Sequence, residues 1–276
     1  MTSVERAVFD NKTKTLVGNF RRLYFGNEFC EELIPPLPLL KSRQALARES
    51  GKDFTFVTPF VTDNGLEKLD KLFRFLDKTS PCEVVFNDWG VFSLLECFPR
   101  LIPVMGRLLT RQRRDPRVLN LLRGKQKRAV KSGPGRKLVK ISKDVPAGFS
   151  SYHASCAVNS PYLQDFLMSR GIHRVEIDRL IWGMEIKLRP QIKLSVYYPY
   201  GYVSTGRMCW KFSLKFGACA RQCQKYCFRF RDPSLPVPFF GIGGTLFYKY
   251  DAPPLDKCHD LNAAGLRLVY QPRLPF

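Results

Sequence analysis

Histidine is scarce in this chain: His153, His173 and His259 are the only three in 276 residues. They are isolated in sequence and form no H-E-x-x-H frame, so a zinc protease has no support. No G-x-S-x-G stretch occurs, which removes the nucleophile elbow of the α/β hydrolases. Long apolar runs are also missing. Stretches such as Leu94–Leu95 or Val196–Tyr198 fall far short of the about 20 residues that a membrane-spanning helix needs, so no membrane span is expected. The first twenty residues carry Glu5, Arg6, Asp10, Lys12 and Lys14 and no apolar segment. A secretory signal is therefore not evident, and a cytoplasmic protein is expected. Acidic residues are few, with 24 Asp and Glu against 45 Lys and Arg, a formal net charge of +21.

That charge is unevenly spread. Between Arg107 and Lys143 there are fourteen Lys or Arg and one acid, Asp115. More than half of the net charge thus sits in one segment, which attracts nucleic acid or an acidic partner unless it is simply a solvated insertion. The remainder reads as an ordinary globular chain. It is 45% hydrophobic, with 22 Phe and 11 Tyr, too apolar for disorder and rich in rings that need burial. One domain over 1–276 is expected, with a basic insertion at about 107–143.

The first half alternates strands and helices. Phe20–Phe25, Phe54–Thr58, Val84–Phe86 and Leu101–Val104 read as short buried strands. Leu66, Leu69, Leu72, Phe73 and Leu76 recur at helical spacing behind the turn Asp63–Asn64–Gly65, and Val91–Cys97 reads as a short helix. Residues 31–40, with Pro35, Pro36 and Pro38, read as an extended connection. After the basic segment come a helix Pro161–Arg170 and strands Arg174–Ile177 and Ile192–Tyr197. The last eighty residues are irregular and rich in Cys, Pro and aromatics, with a final helix expected over Pro254–Ala264. Strand, polar turn, helix, strand is the βαβ pattern of a parallel sheet. The fold class expected is α/β, an irregular or incomplete (β/α) TIM-like barrel with the basic insertion and a Cys-rich C-terminal part.

Nine cysteines and no export signal argue against a disulfide framework. Cys209, Cys219, Cys223 and Cys227 lie close in sequence, and such thiolates suit zinc or an iron–sulfur cluster. Cys30 lies just beyond a predicted strand and offers a distant ligand. Asn87–Asp88 ends another predicted strand, where barrel enzymes place catalytic groups; turn formation explains the same residues equally well. Glu176, Asp178 and Glu185 either line later strand ends or pair with Arg174, Arg179 and Lys187. Gly241-Ile-Gly-Gly244 lacks a P-loop lysine and reads as a backbone turn. Cys82, Cys97, Cys156 and Cys258 read as plain thiols.

Four stretches carry a family resemblance. Leu23-Tyr-Phe-Gly-Asn-Glu-Phe-Cys30 resembles the opening strand of the UbiU/UbiV-like branch of the collagenase-like peptidase family. Val84-Val-Phe-Asn-Asp-Trp-Gly90 is similar to its third-strand signature. Leu194 to Cys209 resembles the stretch before its first clustered cysteine, and Cys223-Gln-Lys-Tyr-Cys227 its closing pair. The resemblance implies a 4Fe–4S cluster held by Cys30, Cys209, Cys223 and Cys227, with Cys219 able to replace one of the last two. It also implies a role in oxygen-independent hydroxylation, alongside a second family member or redox partner protein.

Overall fold

The computed structural model describes residues 4–12, 18–79, 81–122, 127–132, 137–142, 145–209, 219, 221–230, 235–251 and 265–274. Eight parallel strands close into a barrel: β1 (Glu5–Phe9), β2 (Arg22–Gly26), β3 (Asp53–Val57), β4 (Cys82–Phe86), β5 (Leu101–Met105), β8 (Arg174–Asp178), β9 (Lys193–Tyr198) and β14 (Arg267–Tyr270). The strand ring is complete, so of the irregular or incomplete barrel expected from sequence the incomplete form is excluded. Closure comes from β14, which pairs β1 from Glu5↔Arg267 to Val8↔Tyr270 and pairs β9 on its other side. The thinnest seam is between β5 and β8, joined at one register pair, Met105↔Val175.

The helices are less regular than the strands. The helices α1 (Leu37–Glu49), α2 (Asp63–Thr79) and α3 (Trp89–Leu95) follow β2, β3 and β4 in turn. Their apolar stripes share one core with the outward-facing residues of the barrel, as where Phe73 meets Phe56 edge-on with centroids 6.4 Å apart. Between β5 and β8 lie α4 (Val118–Leu122), the strands β6 (Lys127–Ser132) and β7 (Lys137–Ser142), α5 (Phe149–Ala154) and α6 (Pro161–Ser169). No helix is found between β8 and β9 among the described residues. None of the described helices is long and apolar enough to cross a membrane.

The expectation of an extended connection over 31–40 is wrong at both ends, since Glu31–Leu33 forms a single turn of 3-10 helix and the second half enters an α-helix. Helix α1 begins at Leu37, with Pro36 as its N-cap and Pro38 in the first turn. First-turn N–H groups have no intrahelical acceptor, so proline costs nothing there and its fixed φ favours the helix. The predicted helix over Pro254–Ala264 and the Gly133–Pro134–Gly135 break lie outside the described residues.

The C-terminal part contributes a second sheet. Strands β10 (Tyr200–Thr205), β11 (Phe228–Phe230), β12 (Phe239–Ile242) and β13 (Thr245–Lys249) pair antiparallel in the order β10-β13-β12-β11. In sequence this sheet lies between β9 and β14. Gly243 and Gly244 make the tight turn between β12 and β13, with Gly243 at φ +58°, as the glycine run suggests.

Strand side chains alternate in and out, and the inward set forms successive levels along the barrel axis. At the N-terminal end, Arg267 binds Glu83 through both Nη atoms at 2.5 and 3.0 Å, and Arg22 donates to Glu5 at 2.9 Å. In the middle, the rings of Phe9, Tyr24 and Tyr197 meet at centroid distances of 6.1–6.3 Å, among Ala7, Val57, Val85, Val104 and Val269. The buried carboxyl of Glu176 accepts from Tyr24 Oη at 2.9 Å and Tyr197 Oη at 2.6 Å. The barrel is thus filled rather than hollow, as in other closed (β/α) barrels.

Candidate site at the C-terminal mouth of the barrel

The site is built on the ends of the strands. Gly26 ends β2 with φ +134°, and a Cβ there would lie 2.0 Å from the Val57 carbonyl oxygen, so only glycine fits. Asn11 holds this end through Nδ2 to Gly26 O, at 2.6 Å, and accepts from Gly26 N at 3.1 Å. The chain then turns on Asn27, whose Oδ1 accepts from the backbone N–H groups of Phe29 and Cys30 at 2.8 and 2.9 Å. Cys30 is therefore presented from a side-chain-capped turn at the barrel mouth.

Glu28 points into the mouth and is fully buried, as are Arg107 and Asp178. Arg107 grips Glu28 with Nε at 3.0 Å and Nη2 at 2.5 Å, and Asp178 with Nη1 at 2.6 Å. The second oxygen of Asp178 accepts from Arg114 Nε at 2.6 Å. Gln112 ties the same residue by its backbone, accepting from Asp178 N at 2.7 Å and donating to Asp178 O at 2.9 Å. Two carboxylates thus balance two guanidiniums. Burial works against the charge on Arg107, but Glu28 and Asp178 outweigh it and hold its pKa above the ordinary arginine range. The guanidinium also lies 4.0 Å from the centroid of the Tyr197 ring, a cation–π contact strengthened by desolvation.

Of the two readings open for Asp178 in the sequence, lining a strand end or pairing with Arg179 or Arg174, the fold shows the first: Asp178 ends β8. Its partners are Arg107 and Arg114, which follow β5 at the start of the basic segment. Glu176 is held by two tyrosines. Glu185 does pair with Lys187, at 3.2 Å, and also takes a short hydrogen bond from Ser151.

Over this ion network lies the antiparallel sheet. Phe29 packs edge-on against Tyr202 and Phe247, with centroids 5.4 and 5.1 Å apart. The buried Cys223 and Ile242 complete this apolar cap, and Cys30 and Leu33 pack at its margin. The cap brings the C-terminal cysteines to Cys30. Burial pushes the Cys30 thiol up to about 12, and the charges of Cys209, Cys223 and Cys219 push the same way. Burial, then Cys209 and Cys219, likewise raise Cys223. For Cys227 burial alone raises the pKa, with no contribution from another thiol. Cys209 and Cys219 thus act on both Cys30 and Cys223. All eight described cysteines are free of disulfides. No group of three or more His, Cys, Asp or Glu among the described residues is drawn into metal-holding geometry. In donor type, thiols are the ligands that zinc and iron–sulfur centres take.

Asn87 and Asp88 lie at the same end of the barrel but are committed to backbone. Asn87 is buried; its Nδ2 donates to Thr58 O at 2.9 Å and its Oδ1 accepts from Leu108 N at 3.2 Å, lacing the ends of β3, β4 and β5. A Cβ at Gly106 would lie 2.1 Å from that Oδ1. Asp88 caps α3 by accepting from Gly90 N at 2.7 Å. Its other oxygen lies 3.9 Å from Arg207 Nη2, two residues before Cys209. Of the remaining cysteines, Cys82 and Cys156 are buried and Cys97 is exposed; Cys258 and His259 lie outside the described residues.

Fold and site together define a closed eight-stranded parallel barrel, capped by an antiparallel sheet, with a thiol group at the edge of its C-terminal mouth. Compared with known proteins, the chain matches no family model and no curated protein.

Proposed function

We propose that this chain is a redox protein that holds a 4Fe–4S cluster at the barrel mouth, related to the UbiU/UbiV-like branch of the collagenase-like peptidase family. The observation that supports the reading is the apolar cap, which buries Cys223 and packs Cys30 at its margin, with Cys209 and Cys219 acting on both thiols. These four residues would hold the cluster, with Cys219 in place of Cys227. When bound, such a cluster supplies one-electron transfer, and its potential is set by hydrogen bonds and exposure around the sulfurs. The chain's own contribution is rigidity and shielding. Asn27 fixes the turn that carries Cys30, the Glu28–Arg107 pair pins the same turn to β5, and the apolar cap of Phe29, Tyr202, Ile242 and Phe247 limits water on one side. The reaction served is an oxygen-independent hydroxylation or a related modification, in concert with a second family member or redox partner protein.

Single alanine substitutions test the ligand set. Cys30→Ala, Cys209→Ala, Cys219→Ala and Cys223→Ala are each expected to remove most of the iron from anaerobically purified protein, while Cys227→Ala keeps it. Iron retained in Cys219→Ala and lost in Cys227→Ala would restore the set drawn from the family resemblance. Iron retained in all five variants would remove the cysteine site altogether.

A further inference from the structure

A cavity of about 750 Å³ opens between helices α1 and α2, within the roughly 300–1,000 Å³ of small-molecule sites. Its floor is Phe54 of β3 and Cys82, the first residue of β4, both buried. The parallel strands start there, so the cavity lies at the opposite end of the barrel from Cys30, which follows the end of β2. A concavity of this size contributes no packing between the two helices, so stability does not account for it.

Charge marks one wall. Lys41 and Arg48 stand on the same face of α1, two turns apart, with Gln44 and Ala45 on the lining between them. Lys52 adds a third cation from the loop into β3. None of the three forms an ion pair among the described residues. Asp53, the only acid on the lining among the described residues, is taken by Arg22 at 3.0 Å and Arg21 at 3.6 Å. A helix C-terminus draws a cation to its last turn, which accounts for Arg48 but not for Lys41 two turns earlier. Three like charges around one concave space repel one another and focus a positive field into it. An anion of more than one charge relieves the repulsion. The facing wall is aromatic. Phe75 of α2 is half-buried and lines the cavity, and Lys41 Nζ lies 5.3 Å from its ring centroid. Gln44 ties the two walls by donating to Thr79 Oγ1 at 3.0 Å. A ring beside a group of cations suits a planar body joined to a multiply charged tail. A nucleoside diphosphate has both parts. Inorganic pyrophosphate leaves the ring unused, and a free nucleoside leaves the cations unpaired. The described lining holds no histidine and no free carboxylate to serve as a base, so a ligand there is held rather than reacted.

We infer that this cavity binds a nucleoside diphosphate, with Lys41, Arg48 and Lys52 taking the phosphates and Phe75 stacking on the base. The site is remote from the thiols, so it stands or falls separately from the redox reading. The test is calorimetric titration of the full chain with ADP, pyrophosphate, adenosine and dodecyl phosphate. ADP is expected to bind roughly 10-fold or more tighter than pyrophosphate, the increment of one base on an aromatic ring. Arg48→Gln and Lys52→Gln are each expected to weaken ADP and pyrophosphate alike, by about 5- to 10-fold. Phe75→Leu is expected to weaken ADP by roughly 5-fold or more and to leave pyrophosphate unchanged. Ala45→Trp fills the cavity without removing a charge and should abolish binding of both. Cys30→Ala should bind ADP as the parent does, whatever its iron content. The inference would be overturned by pyrophosphate or adenosine binding as tightly as ADP, or by dodecyl phosphate binding more tightly. It would equally be overturned by an unchanged ADP affinity in Phe75→Leu, or in the joint Lys41→Gln, Arg48→Gln, Lys52→Gln variant with the parent's circular dichroism.

Discussion

Arg107→Leu is expected to destabilise the protein by about 3–5 kcal/mol, because it leaves Glu28 and Asp178 buried without their main counter-charge. In a chain of this length that corresponds to a fall in Tm of roughly 10 °C. The loss comes from stranded carboxylates rather than from lost packing, since leucine fills much of the same volume. Arg107→Lys keeps the charge but cannot reproduce the fork that reaches Glu28 twice and Asp178 once, so an intermediate loss is expected. Urea midpoints of the three proteins measure this. A leucine variant within 1 kcal/mol of the parent would mean that the mouth is not held by this ion network.

The second large effect concerns pH. Burial raises the Glu176 carboxyl to about 8, against the opposing hydrogen bonds of Tyr197 and Tyr24. The folded state therefore holds a proton that the unfolded chain releases near the ordinary glutamate value of about 4.3. The stability this contributes is full below that value. It falls by about 1.4 kcal/mol for each unit of rising pH and is gone above about 8. Glu83 works in the opposite direction. Burial opposes its ionisation, but Arg267, Arg22 and Arg174 outweigh that and hold its pKa at about 2. Its contribution is present above about 4.3 and lost as pH falls toward about 2. Unfolding free energies at pH 5, 7 and 9 should therefore decline, and Glu176→Gln should flatten the decline. An equal decline in Glu176→Gln would show that another group titrates.

The strands β3, β4, β5, β8 and β9 were legible because each carries an apolar stretch and most are bounded by turn residues. The two strands that close the barrel were not. β1 opens on Glu5 and β14 on Arg267, inward positions that serve the ionic level at the N-terminal end. Charge at a barrel-interior position looks like surface when no partner is in view. The same reason hid the mouth network. Glu28, Arg107 and Asp178 are separated by 79 and 71 residues, and only the fold brings them together. Arg107 was further masked by the basic residues that follow it. Helix α1 was hidden by prolines that sit where a helix tolerates them. The cysteine group was legible as a group, because Cys30 follows a strand end and four others cluster near the C-terminus. Its composition was not, since Cys219 and Cys227 flank Cys223 at equal spacing.

The central claim is a thiolate-held iron–sulfur centre at the mouth of this barrel, and the most direct test is the iron and acid-labile sulfide content of the protein purified without oxygen. A brown protein with iron and sulfide in near-equal amounts, close to four of each per chain, is the predicted result. A colourless protein carrying zinc, or no metal at all, would contradict it.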